Sequence, residues 1–193
     1  MLFGMDTELA RELLADGFGR VRENVSVVLD GLDADALLYR PDAAANPIAW
    51  LVWHLTRVQD DHVAGIVEVL GGAEPPARGF GRAPGGQAWA EGGWAERFGL
   101  PYSPMASGFG QDADDVGRFT TVDPVLLDGY HAEVHARTLD LVGGMDRGSY
   151  ASIVDRRWNP PVTAAVRLIS VLDDTAQHVG QAAYVRGLAQ RRA

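Results

Sequence analysis

The sequence predicts an all-α protein: a four-helix bundle with a long irregular connection between its second and third helices. Three observations carry this. Four stretches repeat apolar residues at the three- and four-residue intervals of an amphipathic helix. Three of them follow a capping residue and a proline, at Asn46-Pro47, Asp123-Pro124 and Asn159-Pro160. No run alternates convincingly enough to read as a strand. With 193 residues, one domain spanning 1–193 is the expectation.

The first predicted helix covers residues 6–32. Asp6 or Thr7 can cap it, and Glu8 and Glu12 suit the positive end of its dipole. Leu9, Leu13, Leu14, Phe18, Val21, Val25 and Val28 recur at helical spacing. Gly17 and Gly19 weaken it locally, by about 1 kcal/mol each relative to Ala. A polar connection, DADALLYRPDAAA, leads to the second helix, which Asn46 caps and Pro47 opens. That helix runs to about Leu70, where Gly71-Gly72 ends it. Its stripe is Leu51, His54, Val58, His62 and Ile66, widened by Trp50, Leu55 and Val69.

Residues 71–122 are irregular. GGAEPPARGFGRAPGG is too rich in Gly and Pro for a long helix, while AWAEGGWAERFGLPY suits a short helical turn carrying Trp89, Trp94 and Phe98. A connection of this length can return the chain so that the third helix runs parallel to the second. The third helix starts near Thr121–Pro124, ends at Gly143-Gly144, and turns Leu127, Val134, Thr138 and Leu141 to the core. Asn159-Pro160 opens the fourth, which runs to about Ala189.

Composition narrows the chemistry. Hydrophobic residues are 47% and charged residues 22%, the values of a globular domain. No apolar run approaches a membrane span, and the acidic N-terminus lacks the basic start of a signal peptide, so a cytoplasmic location is expected. There is no Cys, which removes disulfides, thiolate zinc sites and Cys nucleophiles. All 17 basic residues are Arg, so Schiff-base and phosphate-loop lysines are absent too. Lack of Lys beside abundant Ala, Gly and Arg suits a GC-rich bacterial source. A net charge of −9 without a basic stripe argues against nucleic acid and anionic membrane as partners.

The stretch VLDDTAQHVGQAAYVRGL sets Asp174 and His178 four residues apart, on one helix face with Val171, Gln181 and Val185. A buried acid and a buried imidazole need partners. One divalent metal satisfies both, with His54 from the apolar stripe of the second helix as third donor. Two His and one carboxylate leave positions for water or substrate, as in a catalytic site. The plainer alternative is a core His hydrogen-bonded to Asp174, with His54 satisfied separately. His131 and His135 form a rival H-x-x-x-H pair with Leu127, Thr138 and Val142. Glu133, Arg137 and Asp140 crowd that helix, so the pair is expected at a solvated edge. His62, two turns from His54, is a candidate supporting residue, although Asp60 and Asp61 beside it suggest exposure. No G-x-S-x-G, G-x-G-x-x-G or phosphate-loop motif is present. The tryptophans at 50, 53, 89 and 94 suit core and loop packing.

The segments AWLVWHLTRVQDDH and DDTAQHVGQAAYVRGL resemble the two signature helices of the DinB-like metalloprotein superfamily. The branch they look most like contains the metal-binding domain of mycothiol-dependent maleylpyruvate isomerase. The resemblance spans nearly the whole chain in helix order and implies a four-helix bundle holding a divalent metal. It places His54 as the second-helix histidine ligand and Asp174 and His178 as the final-helix pair. That pair is H-x-x-x-H in many members and E-x-x-x-H in the isomerase branch. Gly180, Gln181 and Arg186 also match. Asp174 departs from the pattern: it is one methylene shorter than glutamate, yet an ordinary ligand in 2-His-1-carboxylate sites.

The activity implied is activation of a low-molecular-weight thiol, such as mycothiol or bacillithiol, toward an electrophilic substrate. Zinc or nickel is the expected metal, since imidazole suits both. Gln181 would support the site or line its pocket, Tyr184 and Arg186 would contact an anionic ligand, and a homodimer is expected. The alternative is a metal-binding or stress-associated bundle without turnover, or a ligand sensor.

Overall fold

The computed structural model describes residues 7–76 and 86–192; Asp6, the alternative first cap, and the 77–85 part of the Gly/Pro-rich stretch lie outside them. In chain order the elements are α1 (Thr7–Leu29), the short α2 (Ala34–Leu37) and α3 (Ile48–Leu70). Three short turns follow, α4 (Ala88–Glu91), α5 (Trp94–Phe98) and α6 (Ala113–Gly117), then α7 (Pro124–Gly144) and the short α8 (Arg147–Ala151). A two-stranded antiparallel hairpin, β1 (Ile153–Asp155) and β2 (Val162–Thr163), precedes α9 (Ala164–Gln190). The architecture is all-α apart from that hairpin. No helix among the described residues is long and apolar enough to cross a membrane.

The four long helices are those the periodicity predicts, with three corrected boundaries. α1 stops at Leu29, not residue 32, because Gly31 turns into the left-handed region at φ +69° and Asp33 then caps α2. α3 begins at Ile48: Pro47 is its N-cap, with no side chain to offer, and Asn46 caps nothing. Asn159-Pro160, joined by a cis peptide, lies in the hairpin turn and does not open a helix. Asn-Pro is equally a turn signal. Thr163, whose hydroxyl accepts from the Val166 N–H, caps α9 instead. The start of α7 is as expected, Asp123 accepting from Val125 and Leu126 with Pro124 next.

Side-chain pairings set the helix directions. Gly17 of α1 abuts Leu172 of α9, and Arg186 reaches back to the carbonyls of Val27 and Val28, so these two helices run parallel. Arg22 pairs with Asp128 at 2.6 Å and Arg11 reaches the Met145 carbonyl at 2.8 Å, so α1 and α7 are antiparallel. His54 meets His178 while Ile66 shares a small cleft with Arg167, so α3 and α9 are antiparallel. It follows that α3 and α7 run the same way, as the long connection between them permits.

A buried polar knot holds that connection down. Asp60 of α3 is 3% exposed and accepts from the N–H groups of Ala88 and Trp89 and from the Tyr130 hydroxyl, each at 2.8 Å. Arg57, equally enclosed, lies 3.6 Å from Asp60 and donates to Gln87 at 2.8 Å. A buried acid thus does the work of an N-cap for α4 from a different helix. Burial raises the Asp60 carboxyl pKa, against the pull of these donors. Trp89, Trp94 and Phe98 close against Tyr130 with ring centroids 5.3–5.8 Å away, the packing role expected of them.

Candidate metal centre

The antiparallel crossing of α3 and α9 brings His54, Asp174 and His178 together. One donor atom from each lies within 4.8 Å of the others. His54 forms the floor, 7% exposed, while the Asp174 side chain is 39% exposed at the mouth. The two imidazoles meet edge to face, with centroids 4.7 Å apart.

Each imidazole is oriented through Nδ1. His54 Nδ1 lies 2.5 Å from the carbonyl of Ser107, and His178 Nδ1 lies 2.8 Å from the backbone carbonyl of Asp174. Carbonyls only accept, so both Nδ1 atoms carry a proton and Nε2 is the nitrogen left to a ligand on each ring, as in histidines that ligate metals. Trp50 stacks on His54 at 4.6 Å and is itself held by a hydrogen bond from Nε1 to Gln111. Burial lowers the His54 pKa; the Ser107 carbonyl raises it, His178 lowers it and Asp174 raises it. The net effect keeps this ring neutral, the form that ligates.

Asp174 bears on the plainer alternative directly. Its Oδ2 is buried and without a hydrogen-bond partner. The 3.5 Å approach to His178 Nδ1 is no hydrogen bond, because that proton is already given to the backbone carbonyl. A buried carboxylate oxygen with no donor is costly, and a cation between it and the two imidazoles would remove the cost.

Over residues 18–182 the chain matches the DinB superfamily. It belongs to that superfamily. A crystal structure of a conserved protein from Enterococcus faecalis has the same fold, with a TM-score of 0.77 at 24% identity, covering 92% of this chain and 95% of that one. No curated protein matches.

In this DinB superfamily chain the other candidate residues are distributed as follows. Gln181 and Tyr184 line a groove one turn beyond His178. Arg186 points away from the site, to the last carbonyls of α1, where a cation complements the helix terminus. His62 is half-buried in a small cleft with Asp61, Asp155 and Arg167, two turns from the triad.

The expectation for His131 is overturned. It is 1% exposed, inside the α1–α7 contact, and neither ring nitrogen has a hydrogen-bond partner among the described residues. The charged residues beside it in sequence sit on the opposite face, where Glu133 and Arg137 pair with each other. Burial, aided by Arg22 and His135, pushes its pKa down to about 3. The unfolded chain therefore binds a proton below pH 6.5 that the folded chain refuses until about pH 3. Stability conferred by the neutral ring is complete above pH 6.5 and is lost as pH falls, by about 2 kcal/mol at pH 5. His131→Phe is expected to flatten that acid limb in urea titrations at pH 7.5 and 5.0 while retaining metal. An unchanged slope would place the acid sensitivity elsewhere.

Sequence reasoning missed two contributors. The Ser107 carbonyl orients His54, and Gly108 lets the backbone lie on the ring: at its φ of +93°, a Cβ would come within 2.6 Å of His54 Nδ1 and 2.9 Å of Trp50. Neither Ser107 nor Gly108 in SPMASGFG carries a signal for a histidine 53 or 54 residues earlier.

Proposed function

We propose that this protein binds one divalent cation through His54 Nε2, His178 Nε2 and a carboxylate oxygen of Asp174, and uses it to activate a small thiol. The partnerless buried Oδ2 of Asp174, facing two correctly tautomerised histidines, is the observation that carries the reading. Metal binding is known across the superfamily to which the chain belongs. The donor set suits zinc or nickel. When bound, the cation stabilises thiolate over thiol and neutralises charge at the electrophile.

The chain's own groups do the rest. Ser107 and Trp50 hold the His54 ring, and the α9 carbonyl at Asp174 holds that of His178. Three protein donors leave at least one position open, toward the half-exposed mouth at Asp174. With no Cys in the chain, the sulfur comes from a dissociable molecule, mycothiol or bacillithiol in the isomerase-like reading. An aspartate in place of that branch's glutamate draws the carboxylate closer to α9. The exposed large apolar side chains Leu9 and Leu13 of α1 and Val166 and Ile169 of α9 support a homodimer.

Calorimetric titration with mycothiol and with bacillithiol is expected to give binding to metal-loaded protein and none to the apo form. Equal or absent binding in the two forms would remove thiol activation and leave a metal-binding bundle.

A further inference from the structure

Building on the metal reading, we propose that Arg57 is a positioning residue of the site: its guanidinium holds the Ala106–Ser107 peptide against α3 and through it fixes the ring of His54. Arg57 lies three residues after His54, about one turn further along α3. Its Nε donates to the Ala106 carbonyl at 3.1 Å. The next carbonyl in the chain, that of Ser107, lies 2.5 Å from His54 Nδ1. One peptide unit therefore separates the arginine from the group that orients the imidazole.

The two histidines differ in what they require. His178 takes its carbonyl from Asp174, four residues back on the same helix, so forming α9 is enough to supply it. The carbonyl for His54 comes from a loop 53 residues later and is only as well placed as that loop. Trp89 Nε1 reaches the Pro104 carbonyl at 3.1 Å and Trp50 Nε1 reaches Gln111 Oε1 at 2.8 Å, at the two ends of the stretch. Between those ends, among the described residues, Arg57 supplies the one hydrogen bond that arrives from outside the loop apart from the contact of His54 itself.

Arginine suits this task where lysine does not. Its planar fork donates in several directions at once, here through Nε to Ala106 and through Nη1 to Gln87 at 2.8 Å and the Tyr130 hydroxyl at 3.4 Å. Cζ stands 4.9 Å from the ring centroid of Trp89, and Asp60 supplies the counter-charge at 3.6 Å. Held on these sides, and with its side chain only 2% exposed, the guanidinium presents Nε–H to Ala106 in a fixed geometry. A bond from a cation to a carbonyl is also stronger than one from a neutral donor. Gly108 then carries the backbone across the ring so closely that a Cβ there would meet His54 Nδ1 at 2.6 Å. Contact this tight tolerates little displacement, so loss of the Arg57 anchor moves the Ser107 carbonyl off Nδ1.

The test compares Arg57→Lys, which keeps the charge facing Asp60 but loses the fork, with Tyr130→Phe, which removes a hydroxyl from the same knot and leaves the Ala106 bond in place. Nitrogen NMR of the histidine side chains in apo protein at pH 8 reads the tautomer of His54, and competition with a chelator reads zinc affinity. The wild-type ring is expected to hold its proton on Nδ1. Arg57→Lys should return it to a mixture of both tautomers and weaken zinc about tenfold. Tyr130→Phe should lose stability with tautomer and zinc affinity unchanged. Coupling between two sites is reciprocal, so zinc should slow hydrogen exchange at Arg57 Nε–H in the wild type. The Arg11 Nε–H, which donates to the Met145 carbonyl between α1 and α7, serves as the unaffected control. That measurement needs no variant and decides the matter if Arg57→Lys does not fold. A folded Arg57→Lys with wild-type tautomer and zinc affinity, an equal effect in Tyr130→Phe, or Arg57 exchange that zinc leaves unchanged overturns the positioning role. Failure of the wild type to bind zinc overturns the metal reading instead, and the tautomer in the apo variants still decides the role of Arg57.

Discussion

Replacing His178 with alanine is expected to reduce the metal content of tag-free protein from about one divalent ion per chain to background, with helicity unchanged. Of the two histidines among the proposed donors, His178 is the one whose removal disturbs the core less. His54 is packed between Trp50 and the Ser107–Gly108 backbone, so truncating it opens a hole in an aromatic cluster. His178 is partly exposed on α9, its neighbour on that face is the mouth residue Asp174, and alanine is the best helix former. Only His54 and Asp174 would remain, and two donors do not hold a labile divalent ion through purification. Elemental analysis beside circular dichroism reads both quantities. Wild-type stoichiometry in the variant would show that these donors are wrongly assigned.

Asp60→Ala is expected to cost about 3–5 kcal/mol, the largest stability effect of any single polar substitution proposed for this chain. The carboxylate accepts from two backbone N–H groups and the Tyr130 hydroxyl and faces the enclosed Arg57 guanidinium. Alanine would leave a buried cation without its counter-charge and two N–H groups at the start of α4 without an acceptor. For a domain of this size the loss corresponds to a fall of roughly 6–20 °C in Tm. The effect should also reach the candidate site, because the segment pinned by Asp60 continues to Ser107, whose carbonyl orients His54. Urea unfolding gives the first quantity and competition with a chelator the second. A loss below about 1 kcal/mol would mean that aromatic packing around Tyr130, not the polar knot, holds the connection down.

Legibility of the site follows from where its groups lie. His54, Asp174 and His178 could be singled out because each sits in an apolar stripe where an ionisable side chain is conspicuous, and their shared face on α9 follows from helical spacing alone. His131 was misjudged for the complementary reason. Glu133 and Arg137 flank it in sequence but project from the opposite face, and whether a face meets solvent or α1 depends on a partner helix remote in the chain. Arg186, carried over as a ligand contact, was claimed by the end of α1. Asn159-Pro160 satisfied a helix-start pattern, but pairing of Ile153 with Thr163 made it a turn.

The sequence by itself determined the four long helices, their apolar faces, the absence of thiolate and lysine chemistry, and the pair of residues on α9 that faces the site. All of these depend on local periodicity, composition or capping, which neighbouring residues specify without reference to the rest of the chain. Only the tertiary structure decided the antiparallel crossing that sets His54 against His178, the carbonyls that orient both imidazoles and the donorless oxygen of Asp174. Each needs two segments tens of residues apart to meet at hydrogen-bond or van der Waals distance, and that meeting is fixed by packing of the whole core, to which no local pattern has access.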